Sequence, residues 1–104
     1  MIRKAGKMQI LKGCNAEYKK RHDEIWPDMV TELKAHGYSN YSIYLDEDTD
    51  TLFYYFEADD KNKSDKMSQT ETCRKWWHYM KDIMVTNEDE SPLSTELKEV
   101  FYLK

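Results

Sequence analysis

A histidine and a tyrosine in the segment EYKKRHDEIW have side chains suited to exchanging a proton with a bound molecule. The imidazole of His22 has an ordinary pKa of about 6.5, so it can give and take a proton near neutral pH. It follows Tyr18 by one helical turn on an apolar stripe, and two interpretations fit that position. His22 is either a core histidine bonded to a carbonyl, or an acid–base group in a partly dry pocket beside a phenol. The stripe comprises Tyr18, His22, Ile25, Met29 and Leu33.

Two tryptophans stand side by side in the segment RKWWHYMKDIM. Adjacent helical residues diverge by about 100°, so the two indoles cannot face the same core. The apolar stripe of this helix repeats through Cys73, Met80 and Met84. Trp77 is in phase with that stripe and is predicted to face the core, whereas Trp76 is predicted on its flank. A flanking indole either widens the core or lines a pocket in which its face stacks on the C–H surface of a sugar.

Neither the other histidines nor the cysteines indicate a metal site. His36 is predicted to cap the end of a helix before Gly37, and His78 is predicted to face solvent. The three histidines lack the spacing of metal ligands, so no metal is predicted. Cys14 and Cys73 are far apart in sequence and form no CxxC motif, which argues against a zinc or dithiol site.

The elements that position these residues follow from hydrophobic periodicity. Alternation with a period of two predicts four strands, two of them forming a hairpin, and a helical period predicts two helical regions. Tyr41 alternates with Ile43 on the first hairpin strand, where its hydroxyl could reach a ligand. Pro27 is expected to kink or restart the first helical region, and Ser68 with Glu71 fits a capping box for the second. In chain order the predicted segments are residues 2–11, 15–36, 40–46, 51–58, about 62–85 and 96–103.

The order of these segments is βαββαβ. In a chain of 104 residues this order predicts an α+β, ferredoxin-like fold, an antiparallel sheet with both helices on one face. The aromatic alternation in the hairpin suggests that the second face of the sheet is apolar as well. Such a face normally meets a partner, so a homodimer is expected. The chain length fits one core, and residues 1–104 are predicted to form a single domain.

Composition excludes several classes of partner. The 16 basic and 20 acidic residues give a formal net charge of −4, which argues against nucleic acid and anionic membranes as partners. No stretch approaches the roughly 20 apolar residues that a membrane span needs, and the start of the chain does not resemble a signal peptide. The chain is therefore predicted to be cytoplasmic. Its eight tyrosines and three tryptophans combine apolar surface with a polar group, which suits sugars as ligands.

Nearly the whole chain resembles the L-rhamnose mutarotase family. The resemblance is carried by five segments, MIRKA with MQI, EYKKRHDEIWPDM, LKAHGYSNYSIYLD, TCRKWWHYMKDIM and SPLSTELKEVFYLK. It implies a cytoplasmic homodimer of the dimeric α+β barrel type. It further implies an isomerase that interconverts the α and β anomers of L-rhamnose and needs no cofactor.

The resemblance also assigns roles to individual residues. It implies that His22 is the catalytic proton donor and that four aromatic residues bind the sugar. Two positions depart from the family pattern: Gly6 stands where a bulky apolar residue is expected, and residues 61–67 lack a tryptophan. The implied sugar-binding residues are Tyr18, Tyr41, Trp76 and Trp77.

Two other functions share the predicted fold. Cofactor-independent monooxygenases that act on aromatic polyketides use the same barrel, with His, Trp and Tyr in the pocket. Non-enzymatic ligand-binding dimers use it too. Fold alone cannot choose among the three, and the motifs favour the mutarotase.

Overall fold

Four antiparallel strands form one sheet in the computed structural model, which describes all residues from Met1 to Lys104. The strands are β1 (Ile2–Gln9), β2 (Tyr38–Asp46), β3 (Thr51–Ala58) and β4 (Thr95–Leu97), and their order in the sheet is β2-β3-β1-β4. Strand β1 lies at the centre, paired with β3 along its full length. The predicted α+β, ferredoxin-like fold is confirmed.

The first predicted helical region consists of two helices, α1 (Asn15–Asp23) and α2 (Pro27–Ala35). Pro27 is the first residue of α2. An N–H at that position has no hydrogen-bond partner within the helix, so proline is tolerated there. The restart predicted at this proline is therefore confirmed. His36 caps the end of α2, as predicted, and its Nδ1 lies 2.8 Å from the carbonyl oxygen of Glu32.

The second helical region is broken into α3 (Lys61–Asp65), a 3₁₀ turn, α4 (Glu71–Met80) and a second 3₁₀ turn. The predicted capping residue is wrong. Thr70, in an extended conformation, caps α4 by accepting a hydrogen bond from the N–H of Cys73 at 3.2 Å. Ser68 lies inside the preceding 3₁₀ turn, and its hydroxyl donates to the carbonyl of Asp65 at 3.2 Å.

The last strand is shorter than predicted. It pairs with β1 only from Thr95 to Leu97, and residues 98–104 have no regular secondary structure. The alternating sequence favours a strand, but the chain leaves the edge of β1 after Leu97 and loses its hydrogen-bonding neighbour. Val100 and Leu103 are consequently 90% and 80% exposed.

The core lies between one face of the sheet and the helices. Ile10 and Leu52 are its most deeply buried side chains, each 1% exposed. The opposite face of the sheet is open, with Tyr44 67% and Phe53 38% exposed. None of the helices combines the length and hydrophobicity that crossing a bilayer requires. The other members of the core cluster are Tyr18, Met29, Met67, Cys73, Trp76, Met80, Ile83 and Met84.

Candidate active site

A cavity of about 550 Å³ opens between the sheet and the helices, a size typical of small-molecule sites. A second cavity, of about 430 Å³, adjoins it. Four of the five predicted site residues line both cavities, and Trp77 lines the larger one. The fold therefore brings all the predicted site residues together around one space. The four shared residues are Tyr18, His22, Tyr41 and Trp76.

The imidazole of His22 is oriented by the helix that carries it. Its Nδ1 lies 3.2 Å from the carbonyl oxygen of Tyr18, one turn earlier in α1. A carbonyl can only accept a hydrogen bond, so in the neutral ring Nδ1 carries the proton and Nε2 keeps its lone pair. Burial lowers the pKa of His22, against smaller opposing effects of the Tyr18 carbonyl and of Asp23. At neutral pH the ring is therefore mostly uncharged, with Nε2 able to accept a proton.

Aromatic rings hold His22 from two sides. The ring of Tyr18 stacks on it with centroids 4.3 Å apart, and Trp76 meets it edge-on at 5.4 Å. Tyr18 is 7% exposed, and burial raises the pKa of its hydroxyl well above the ordinary value. The stacked pair fixes both the position of the imidazole and the low polarity around it. The carbonyl contact is one that a structural histidine would also make, whereas the place of His22 in the wall of both cavities is what an acid–base group requires.

The predicted roles of the two tryptophans are reversed. Trp76 is 7% exposed and belongs to the core cluster, whereas Trp77 is half-buried and packs against that cluster. Either residue fits the spacing between Cys73 and Met80, so the pattern could not decide between them. The neighbours decide, because Trp26 packs edge-on against Trp76 with centroids 5.0 Å apart.

Tyr41 reaches the cavity through a local irregularity of β2. The pairing of β2 with β3 shifts register between Ser39 and Ser42, and Asn40 has a positive φ of 48°. Because this β-bulge inserts one residue, Tyr38 and Tyr41 line the same cavity although they are three residues apart. The ring of Tyr41 stacks on Phe56 at 5.2 Å. Tyr41 is 43% exposed and lines both cavities. Burial of its hydroxyl, and to a smaller extent the neighbouring phenols, raise its pKa.

Several residues that line the larger cavity were missed by the sequence analysis. Tyr38 contributes a ring whose hydroxyl donates to the carbonyl of Ser64 at 3.1 Å, and burial raises its pKa to about 12. Tyr54 contributes another ring from β3. Tyr38 lies before the strand predicted at residues 40–46, and the strand pattern of residues 51–58 did not single out Tyr54. A polar loop supplies further lining residues, Asn87, Asp89, Ser91 and Ser94.

This polar loop is tied to α4 and to the turn after it. The carboxylate of Glu90 lies 3.0 Å from Nδ1 of His78 and 2.7 Å from Nζ of Lys81. His78 is exposed, as predicted, and takes no part in lining the cavities. No group of three or more His, Cys, Asp or Glu side chains lies close enough to hold a metal ion.

Comparison with known proteins identifies the family. The family model for L-rhamnose mutarotase matches residues 3–103. An L-rhamnose mutarotase from Clostridium beijerinckii is 55% identical over 104 residues, covering both chains completely. The crystal structure of an L-rhamnose mutarotase from Formosa agariphila superposes with a TM-score of 0.92 at 42% identity, covering 100% of both chains.

A more distant structural likeness concerns the fold alone. A putative antibiotic biosynthesis monooxygenase from Nitrosomonas europaea has a TM-score of 0.65 at 10% identity, with 97% of this chain and 100% of that one covered. At that identity the shared fold carries no information about activity. The matches in sequence, in contrast, cover nearly the whole chain. The chain belongs to the L-rhamnose mutarotase family.

Proposed function

We propose that this protein interconverts the α and β anomers of L-rhamnose, with His22 as the catalytic acid–base group. Membership of the mutarotase family supports the substrate and the reaction. The observation that carries the catalytic assignment is the position of His22. It lies where the two cavities meet, stacked on Tyr18, with Nδ1 directed to a carbonyl and Nε2 left for exchange.

The reaction needs one proton to move between two oxygens of the sugar. Ring opening breaks the bond between C1 and the ring oxygen O5; the anomeric hydroxyl loses its proton, and O5 gains one. Because both oxygens are bonded to C1, Nε2 of His22 can take the first proton as a base and return it to O5 as an acid. Rotation about the C1–C2 bond then presents the other face of the aldehyde, and the reverse steps close the ring. No net proton is consumed.

The tyrosines of the site are suited to binding rather than to proton abstraction. Burial raises the pKa of both Tyr18 and Tyr41 well above the ordinary value of 10.0. Both phenols therefore stay protonated at neutral pH and can donate hydrogen bonds to sugar oxygens. Their hydroxyls make no hydrogen bond within the protein, unlike that of Tyr38. His22 is left as the group that changes charge near neutrality.

The indoles and phenols around the cavity form the proposed sugar-binding surface. An aromatic face packs well on the C–H groups of a sugar ring, and a phenolic hydroxyl binds its oxygens. We assign Trp76 and Trp77 to the first task and Tyr18 and Tyr41 to the second. The cavity volume of about 550 Å³ leaves room for a monosaccharide and ordered water.

We also propose that the working unit is a cytoplasmic homodimer in which residues 1–104 form one domain. Apolar side chains are exposed on the open face of the sheet and in the C-terminal segment, such as Phe53 at 38% and Phe101 at 77%. Surfaces of this kind usually meet a partner. Both cysteines are free, which fits a reducing compartment.

The activity is tested directly by NMR on L-rhamnose at anomeric equilibrium. Catalytic amounts of the protein should broaden the anomeric proton signals or transfer saturation between them, and heat-inactivated protein should not. The proposal is overturned if exchange in the presence of the native protein equals the spontaneous rate.

A further inference from the structure

Gly6 and Tyr54 face each other across the centre of the sheet with almost no space between them. They are register partners in β1 and β3. A Cβ atom added to Gly6 would lie 2.5 Å from Cε2 of Tyr54 and would overlap its Cζ and hydroxyl oxygen. Gly6 is not among the residues with positive φ, so the backbone conformation does not require glycine. The space beside Gly6 is instead taken by the outer half of the Tyr54 ring, which lies directly on β1.

The ring of Tyr54 also forms part of the cavity wall. It stacks nearly parallel to Phe56, with centroids 6.0 Å apart and planes at 14°. The ring extends across β1 toward the chain around β4, and burial, with a smaller contribution from the carboxylate of Glu96, raises the pKa of its hydroxyl. Tyr54 and Ser94 both line the larger cavity. The side of the ring that faces away from Gly6 therefore faces the space where a ligand would lie.

An aromatic ring laid over a cross-strand glycine is a known way to fill the gap that glycine leaves in a sheet. Here the arrangement has a second consequence. With nothing but hydrogen on residue 6, the ring can fold back onto β1 and leave the cavity open. Any side chain at that position would push the ring off the strand, and the free space on its other side is the cavity.

We propose that Tyr54 is a specificity-determining residue of the sugar site, and that Gly6 permits it by letting its ring lie flat on β1. The inference rests on the proposed mutarotase function and adds a residue to the substrate wall. The ring offers an apolar surface and the hydroxyl a hydrogen-bonding group at the end of the cavity bounded by Ser94. A ring of this kind offers the methyl group of L-rhamnose an apolar contact, whereas a hydroxymethyl group would need more space and a polar partner.

The close contact is tested by a double-mutant cycle on anomer exchange. Gly6→Ala should raise KM for L-rhamnose by about ten-fold, the low end of what one methyl group does in a pocket. kcat should change less, since His22 is untouched. Gly6→Ala should raise KM by a similar factor when it is combined with Tyr54→Phe, because phenylalanine keeps Cζ and Cε2. When Gly6→Ala is combined with Tyr54→Leu, which removes the overlapping atoms, it should raise KM by less than two-fold.

The specificity role is tested by comparing L-rhamnose with L-mannose, which carries a hydroxymethyl group in place of the methyl. Tyr54→Leu shortens this wall and leaves space for the hydroxymethyl group, so it should raise the relative kcat/KM for L-mannose several-fold. Tyr55→Leu, on the opposite face of the sheet with its hydroxyl bonded to Glu57 at 2.8 Å, is the matched control and should leave the ratio unchanged. Unfolding temperatures of all variants separate a loss of fold from a change of preference.

Two outcomes overturn the inference. One is that neither Tyr54→Leu nor Tyr54→Phe changes the ratio of kcat/KM for L-mannose to that for L-rhamnose. The other is a cost of Gly6→Ala that is the same in the Tyr54→Leu background as in wild type. If Gly6→Ala does not fold, the sugar preference of the two Tyr54 variants decides alone. A wild-type protein without any anomer exchange would instead contradict the proposed function itself.

Discussion

The imidazole of His22 has the surroundings of a group that works in its neutral form first. Burial disfavours its charged form and moves its pKa below the ordinary 6.5, while the carbonyl of Tyr18 fixes the proton on Nδ1. Removal of the anomeric proton requires an unprotonated Nε2. The fraction of enzyme ready to react therefore depends on that lowered pKa.

The first prediction is a fall of kcat/KM on the acid side. Below pH 6.5 a growing share of His22 binds a proton, and the rate should fall as pH drops through the lowered pKa. Between pH 6.5 and pH 8, kcat/KM should be independent of pH. The test is to measure kcat/KM from pH 4.5 to 8 while circular dichroism shows that the protein is folded at each pH. A midpoint above pH 6.5 would contradict the burial argument.

The second prediction concerns the two tryptophans. Trp76→Ala should lower the free energy of unfolding by about 3–5 kcal/mol, as large-to-small changes of buried aromatic residues do. Trp77→Ala should cost clearly less, because Trp77 is only half-buried. Urea denaturation followed by circular dichroism measures both. Equal costs would contradict the assignment made from the structure, and a larger cost for Trp77 would restore the one predicted from the sequence.

The tryptophan pair shows what residue patterns can and cannot decide. The spacing from Cys73 to Met80 accommodates a core residue at either position, so the sequence predicted a pair with unequal roles but assigned them the wrong way round. The deciding contact is with Trp26, which lies some 50 residues earlier in the chain. A contact between distant segments leaves no trace in local periodicity.

At the scale of the elements, the start of α4 provides a sharp comparison. Thr70 accepts from the N–H of Cys73, whereas Ser68 bonds back into the preceding turn. Thr70→Ala should therefore cost about 1 kcal/mol of stability, the usual value of an N-cap. Ser68→Ala is the matched control and should cost less than about half of that. Chemical denaturation of the two variants measures both losses of stability. A larger loss for Ser68→Ala than for Thr70→Ala would support the capping box predicted at Ser68.

The elements themselves were largely predictable, and their ends were not. Alternation and helical periods placed every strand and both helical regions, and Pro27 located the break between α1 and α2. Residues 98–104 carry a strand-like pattern but lack a partner strand, which periodicity cannot report. The bulge at Asn40, which lets Tyr38 share the inner face with Tyr41, was equally invisible, although asparagine tolerates positive φ better than most residues.

At the scale of the whole molecule, the open sheet face predicts the assembly state. Light scattering on the purified protein at micromolar concentration should give twice the chain mass of 12.6 kDa. Phe53→Glu places a charge on that face and should shift the mass toward the monomer, because an unpaired charge is costly in an apolar interface. Thr31→Glu, at an exposed position of α2, is the control. A monomeric wild type would exclude the proposed dimer.

The site as a whole was foreseen only because the resemblance joined distant motifs. Helical spacing put Tyr18 and His22 on one face, and strand alternation turned Tyr41 inward. Nothing in the spacing joined them to Trp76. In the fold, α1, β2 and α4 converge so that these residues line the same two cavities. The polar loop and Tyr54 were not foreseen, because their place in the cavity depends on how β3 and the chain before β4 meet across β1.

The most direct test of the account is the anomer exchange rate of His22→Ala, measured by NMR on equilibrated L-rhamnose at pH 7. Loss of one acid–base group should lower the rate by at least about 100-fold, with the fold retained by circular dichroism. His36 and His78 line neither cavity. The exchange rates of His36→Ala and His78→Ala should therefore stay within a few-fold of the wild-type rate. If His22→Ala exchanges the anomers as fast as wild type, His22 is not the catalytic group, and another side chain carries the proton.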